Sequence, residues 1–142
     1  MRCILIAILL ATFLTSHAQE DDKRYKFKTT RYQIAYLDKY GAYQFSTGWK
    51  DTSMVIVINI KDKKLTFYSN PIKVFDIVTD AITYKDGVFS TAKWVTCLDP
   101  NSRQCSIRVA QINPDSEEKP KILYLYIDYL DATFMYEVSN EN

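Results

Sequence analysis

Apolar and polar residues alternate with a period of two along most of this chain, and the parity of the alternation predicts which side of each strand faces a core. In the segment Ser53–Ile60, Met54, Ile56, Ile58 and Ile60 share one face and Val55 and Val57 the other. A strand apolar on both faces is expected to be central and well covered. Near the start, Tyr25, Phe27 and Thr29 alternate with Lys26, Lys28 and Thr30, after which Tyr32, Ile34 and Tyr36 continue with the opposite parity. Parity cannot change without an extra residue or a bend, so a bulge is expected near Thr30-Arg31. In 121–129, Leu123, Leu125, Ile127 and Tyr129 form an aliphatic face that suits a core. That leaves Tyr124 and Tyr126, on the other face with Asp128, as an exposed or cavity-lining stripe.

Turn chemistry divides the remainder. Leu37–Gly41, Lys61–Lys63, Asn70-Pro71, Asp86-Gly87, Asp99–Ser102 and Asn113–Pro120 read as turns and loops. Between them lie strand-like runs at 42–46, 64–69, 72–79, 81–85, 88–98 and 104–112. The last segment, 132–138, is ambiguous: Phe134, Tyr136 and Val138 alternate as in a strand, whereas Leu130, Phe134 and Val138 are spaced as on a helix that Asp131 would cap. A strand is favoured, with a short C-terminal helix as the alternative. The chain is therefore expected to be all-β, with eight to ten short antiparallel strands in a small barrel or sandwich.

The first residues change the chemistry of the rest. Met1-Arg2, the apolar run Cys3–Leu14, and Ser16 and Ala18 at the minus-three and minus-one positions form a secretory signal. The run is too short for a stable membrane span, and no later stretch is long and apolar enough. The expected organisation is a signal peptide at 1–18 and a single β domain at 19–142, released outside the cell or into the periplasm or cell envelope. Cleavage removes the sole histidine, His17, and one of the three cysteines, Cys3. It also removes Arg2, after which basic and acidic groups balance, so no basic excess points to nucleic acid.

A domain without histidine has no Ser-His-Asp or Cys-His mechanism and no His-based metal site, and three glycines make no phosphate loop. No catalytic residue, metal site or cofactor is expected. Carboxylate chemistry is what remains, with Asp76/Asp80 and Asp128/Asp131 as the pairs that could converge. Cys97 and Cys105 flank the Asp99–Ser102 turn. On a hairpin they would face each other, and in an oxidising compartment they are expected to form a disulfide. Eleven Tyr and two Trp would first of all fill a small β core; where they instead line a surface or cavity, Trp49 and Trp94 join Tyr124 and Tyr126 as candidate ligand-binding residues.

Gly48-Trp49 leading into a long apolar strand resembles lipocalin-like and avidin-like barrels. That resemblance implies a small ligand held inside an antiparallel barrel. Glycine and tryptophan are adjacent here rather than one residue apart, so no functional residue is carried over. The whole chain also resembles small exported β-rich proteins of unknown function of the Bacteroidota type. The shared features are the signal ending at Ala18-Gln19, the abundance of Tyr, Lys and Asp, and the cysteine hairpin. The expected function is non-enzymatic binding of a small ligand, glycan or protein. The alternatives are a structural or inhibitory module acting through an exposed sheet edge, and a carboxylate-based hydrolase.

Overall fold

The computed structural model describes residues 24–45, 48–79, 82–84, 89–112 and 122–141. The expected signal at 1–18, the Asp86-Gly87 turn, the Asn113–Pro120 loop and Asp80 lie outside the described residues. The strands in chain order are β1 (Arg24–Leu37), β2 (Tyr43–Phe45), β3 (Lys50–Asp51), β4 (Val55–Asn59), β5 (Lys64–Tyr68), β6 (Lys73–Ile77), β7 (Ile82–Tyr84), β8 (Phe89–Leu98), β9 (Gln104–Ile112), β10 (Ile122–Asp128) and β11 (Ala132–Asn140). All their pairings are antiparallel.

β11 pairs with both β10 and β1, and this last pairing closes eight strands (β1, β4, β5, β6, β8, β9, β10 and β11) into a barrel. Closure decides between barrel and sandwich, and it removes the open edges that a sheet of this length would expose. It also excludes the alternative of a C-terminal helix. Phe134, Tyr136 and Val138 point inward as their period of two requires, and the backbone of 132–140 satisfies two neighbours that a helix would leave unpaired.

The bulge falls where the parity change places it. Thr29 pairs with Val138 and Arg31 with Glu137, leaving Thr30 as the extra residue. β1 also changes partner here, from β4 to β3 and then β2. Buried Thr29 bridges the break: its N–H donates to Met54 O (2.9 Å), and its Oγ1 accepts from Met54 N–H (2.9 Å). A second break separates β6 from β7. Val78 N–H donates to Thr96 O (2.8 Å), and Thr96 N–H donates to Thr79 Oγ1 (2.9 Å), so a hydroxyl replaces a strand carbonyl.

The inner faces meet in one apolar core. Its waist is Ile56, Leu65, Cys97, Ile107 and Leu125, none more than 1% exposed. The aliphatic face of β10 is the inner one, as its sequence predicts. Above the waist larger rings and open space replace tightly packed aliphatic groups, and below it a space opens among mainly aliphatic side chains.

Candidate functional site

Two turns at the same end of the barrel share one construction. In 38–42, Asp38 Oδ1 accepts from Tyr40 N–H (2.8 Å) and Ala42 N–H (2.9 Å), and Gly41 takes the left-handed φ of +80°. In 99–103, Asp99 Oδ1 accepts from Asn101 N–H (2.9 Å) and Arg103 N–H (2.8 Å), and Ser102 takes φ +62°. Each aspartate replaces the missing strand carbonyls with its own oxygen, which lets the chain reverse in five residues. These turns, with 69–72 and 129–131, surround the upper mouth of the barrel.

The upper mouth opens into a cavity of about 270 Å³. Its walls are Phe67, Phe75, Ile127, Phe134 and Tyr136; its rim is Pro71, Ile72, Lys73, Asp99, Pro100, Asn101 and Tyr129. The rings interlock rather than fill the space. Phe67 lies 5.3 Å from Phe75 and 5.7 Å from Tyr136, both tilted, and Tyr129 meets Phe134 edge-on at 6.0 Å. Tyr32 stacks behind Tyr136 at 5.9 Å. A separate cavity of about 210 Å³ lies at the opposite end, lined by apolar side chains and the ring of Tyr25, between Phe27, Ile58, Ile60, Val95, Val109 and Leu123.

Electrostatics at the upper rim are set by Asp99. Burial pushes its carboxyl up, but hydrogen bonds from Arg103 N–H, the Tyr129 hydroxyl (3.0 Å to Oδ2) and Asn101 N–H outweigh that and hold it below the ordinary carboxylate range. Tyr129 is displaced upward, first by burial and then by the bond to Asp99. Burial, followed by the neighbouring Tyr32, pushes Tyr136 up to about 12. At neutral pH the two phenols, Tyr129 on the rim and Tyr136 on the wall, are therefore neutral, and the rim carboxylate of Asp99 is already engaged.

Of the aromatic residues singled out from the sequence, Tyr124, Tyr126 and Trp49 do not line this cavity. Tyr124 and Tyr126 project from the outer face of β10, yet they are only 7% and 9% exposed. They form a second cluster with Ala110, against which Met135 packs. Trp49 covers Tyr124 at 6.1 Å, and the Arg31 guanidinium lies 4.4 Å over the Trp49 ring while pairing with Glu137 at 2.6 Å. Arg108 stacks on Tyr126 at 4.3 Å and pairs with Asp128 at 2.6 Å. Trp49 and Tyr124 are thus brought together as a packed outer layer, not as an open stripe. Trp94 lies on β8 opposite Arg108 in register, and its side chain is outside the described residues. The cavity rings Phe67, Phe75, Phe134 and Tyr136 were missed. Their inward parity was present in the sequence, since Phe67 is in phase with Leu65, Phe75 with Ile77, and Phe134 and Tyr136 with Val138.

Cys97 and Cys105 face each other in register, but both are free thiols, which corrects the expected disulfide. The pair sits at a hydrogen-bonded ladder position, since Asp99 N–H donates to Arg103 O (2.9 Å) two residues on. Burial pushes the Cys97 thiol up to about 12 and the Cys105 thiol to about 11, so neither is a thiolate at neutral pH. Both are expected to react with a disulfide reagent such as Ellman's only as fast as the barrel unfolds, and both should titrate in denaturant. Absence of these two thiols in denaturant would restore the bridge.

The described carboxylates of the candidate pairs are each engaged by a cation, and Asp80 lies outside the described residues. Asp76 is exposed and ion-paired with Lys64, Asp128 is held by Arg108 and by the Thr133 hydroxyl (3.0 Å), and exposed Asp131 pairs with Arg103 (3.1 Å). Among the described residues no group of three or more His, Cys, Asp or Glu side chains is placed to hold a metal ion. The described residues also contain no helix long and apolar enough to cross a membrane.

Fold and site together define a closed eight-stranded antiparallel barrel with an aromatic-walled cavity at one mouth. No protein family, curated protein or solved structure matches the chain.

Proposed function

We propose that this is a non-enzymatic binding barrel, exported from the cell, which takes a small and largely apolar ligand into its upper mouth. The observation that carries this is the aromatic-walled cavity, ringed by a few polar rim groups, in a barrel otherwise packed solid at its waist. A cavity of roughly 150 Å³ accepts benzene, so a volume of about 270 Å³ suits a body of about two fused rings. The ligand enters among the inner rings rather than on Tyr124 and Tyr126, whose burial leaves no face for stacking. The exported location rests on the N-terminal signal alone.

Closure of the barrel works against a module acting through a sheet edge, because the edge strands left over, such as β2 and β7, are only three residues long. The hydrolase alternative requires a partly buried carboxylate with a raised pKa. The described carboxylates with a displaced value, Asp38 and Asp99, are both lowered.

Titration with the neutral two-ring alcohol 2-naphthylmethanol tests the proposal. Saturable binding is expected with a Kd on the order of 100 µM, with NMR shifts concentrated on Phe67, Phe75, Phe134 and Tyr136. No saturation up to the solubility of the probe, or shifts confined to the lower cavity, would overturn it.

A further inference from the structure

The charges around the upper mouth are unequally engaged, and that inequality selects the ligand's polar end. Asp99 spends Oδ1 on two backbone N–H groups and Oδ2 on the Tyr129 hydroxyl. Arg103 is paired with Asp131 and lies 4.5 Å over the Tyr129 ring. Lys73 differs from both. It has the same parity as inward-facing Phe75 and Ile77, pairs in register with Phe67, and lines the cavity at its rim. Its ammonium has no hydrogen-bond or ion-pair partner among the described residues. A polar group already satisfied offers a ligand little, whereas a free cation beside an apolar wall offers a paired head group at the edge of the apolar surface.

We propose that the ligand of the upper cavity is an organic monoanion, with a carboxylate-type head at Lys73 and an apolar body against Phe67, Phe75 and Phe134. This rests on the proposal that the cavity binds ligand, and it adds the sign and position of the head group. The Asn101 side chain, also on the rim, is a second donor within the same opening. The body enters first because the walls beyond the rim are apolar or phenolic, while the head stays where Lys73 and water can both reach it.

Three probes with one ring system and different heads separate the outcomes: 2-naphthoate, 2-naphthylmethanol and 2-naphthylmethylammonium, titrated calorimetrically into the full protein. The anion is expected to bind about fivefold more tightly than the alcohol, as for a partly exposed ion pair, and the ammonium more weakly than either. Lys73→Gln should bring 2-naphthoate down to the affinity of the alcohol measured with the same variant, and Lys73→Arg should keep the preference. Equal affinities for anion and alcohol, or tightest binding of the ammonium, would overturn the head-group assignment while leaving the binding barrel standing. Failure of all three probes would overturn both.

Discussion

Replacing Leu125 by alanine is expected to lower the unfolding free energy by about 3–4 kcal/mol and the melting temperature by roughly 10–15 °C. Leu125 is fully buried at the waist. On the same strand face its neighbours are Leu123, which lines the lower cavity, and Ile127, which lines the upper one. Truncation there removes methyl groups that touch core on every side, and a closed barrel cannot collapse onto the gap. It also opens a path between two spaces that the waist now separates. Leu123→Ala is the control. Its side chain is half-buried beside an existing cavity, so it loses fewer contacts and should cost only about 1–2 kcal/mol. Urea denaturation of the two variants measures the contrast. Equal losses would mean that the waist is no better packed than the mouths.

The second large effect is expected at Asp99. Asp99→Ala strips acceptors from Asn101 N–H, Arg103 N–H and the Tyr129 hydroxyl at a residue that is 9% exposed. The loss should be about 2–3 kcal/mol, the range for removing a cap and leaving partly buried donors unpaired. Asp99→Asn keeps an oxygen for the two backbone donors and should lose less than half of that. The pH dependence identifies the charge. Because the folded protein holds the Asp99 carboxyl below its ordinary value, the folded state binds fewer protons than the unfolded one near pH 4. Its contribution is present above the unfolded value of about 3.9 and is lost as pH falls through the lower folded value. Asp38 acts with the same sign, held down chiefly by the backbone N–H groups of Ala42 and Tyr40. Stability should therefore fall on acidification below about pH 4, and Asp99→Asn should flatten part of that fall while Asp38 keeps the remainder. An unchanged acid profile in Asp99→Asn would remove Asp99 as a source of the pH dependence.

A ligand in the upper mouth would bear on the same turn. Asp99, Pro100 and Asn101 form part of the rim, so the carboxylate that closes the β8–β9 reversal also fixes where the polar edge of the cavity stands. Asp99→Asn is therefore a useful separation of roles. It keeps the turn and changes the charge, whereas Asp99→Ala disturbs both.

What could be seen in the sequence was whatever the chain decides within a few residues. Period-two alternation identified the strands and the inner face of β10. The parity change at Thr30-Arg31 located the bulge, and Gly41 and Asp99–Ser102 marked turns whose aspartates cap their own backbone. Each of these follows from side-chain geometry that adjacent residues share. The candidate site was not visible in this way. Phe67 comes from β5, Phe75 from β6, and Phe134 and Tyr136 from β11, and nothing local marks them as one wall.

Tyr124 and Tyr126 show the same limit from the other side. Their outward parity was legible, but their burial was not: Trp49, with Arg31 over its ring, reaches Tyr124 from more than seventy residues earlier in the chain, and Arg108 covers Tyr126 from the neighbouring strand. The facing of Cys97 and Cys105 was legible as well, but their burial was not, because it depends on the other strands of the barrel. The sequence by itself determined an all-β chain, its breaks and the inward side of its strands, since these obey a local period. Only the tertiary structure decided that β11 returns to β1, that the barrel is full at the waist and open at the mouths, and which aromatic rings meet. Those outcomes depend on pairings between strands about a hundred residues apart, which alternation along one strand does not encode.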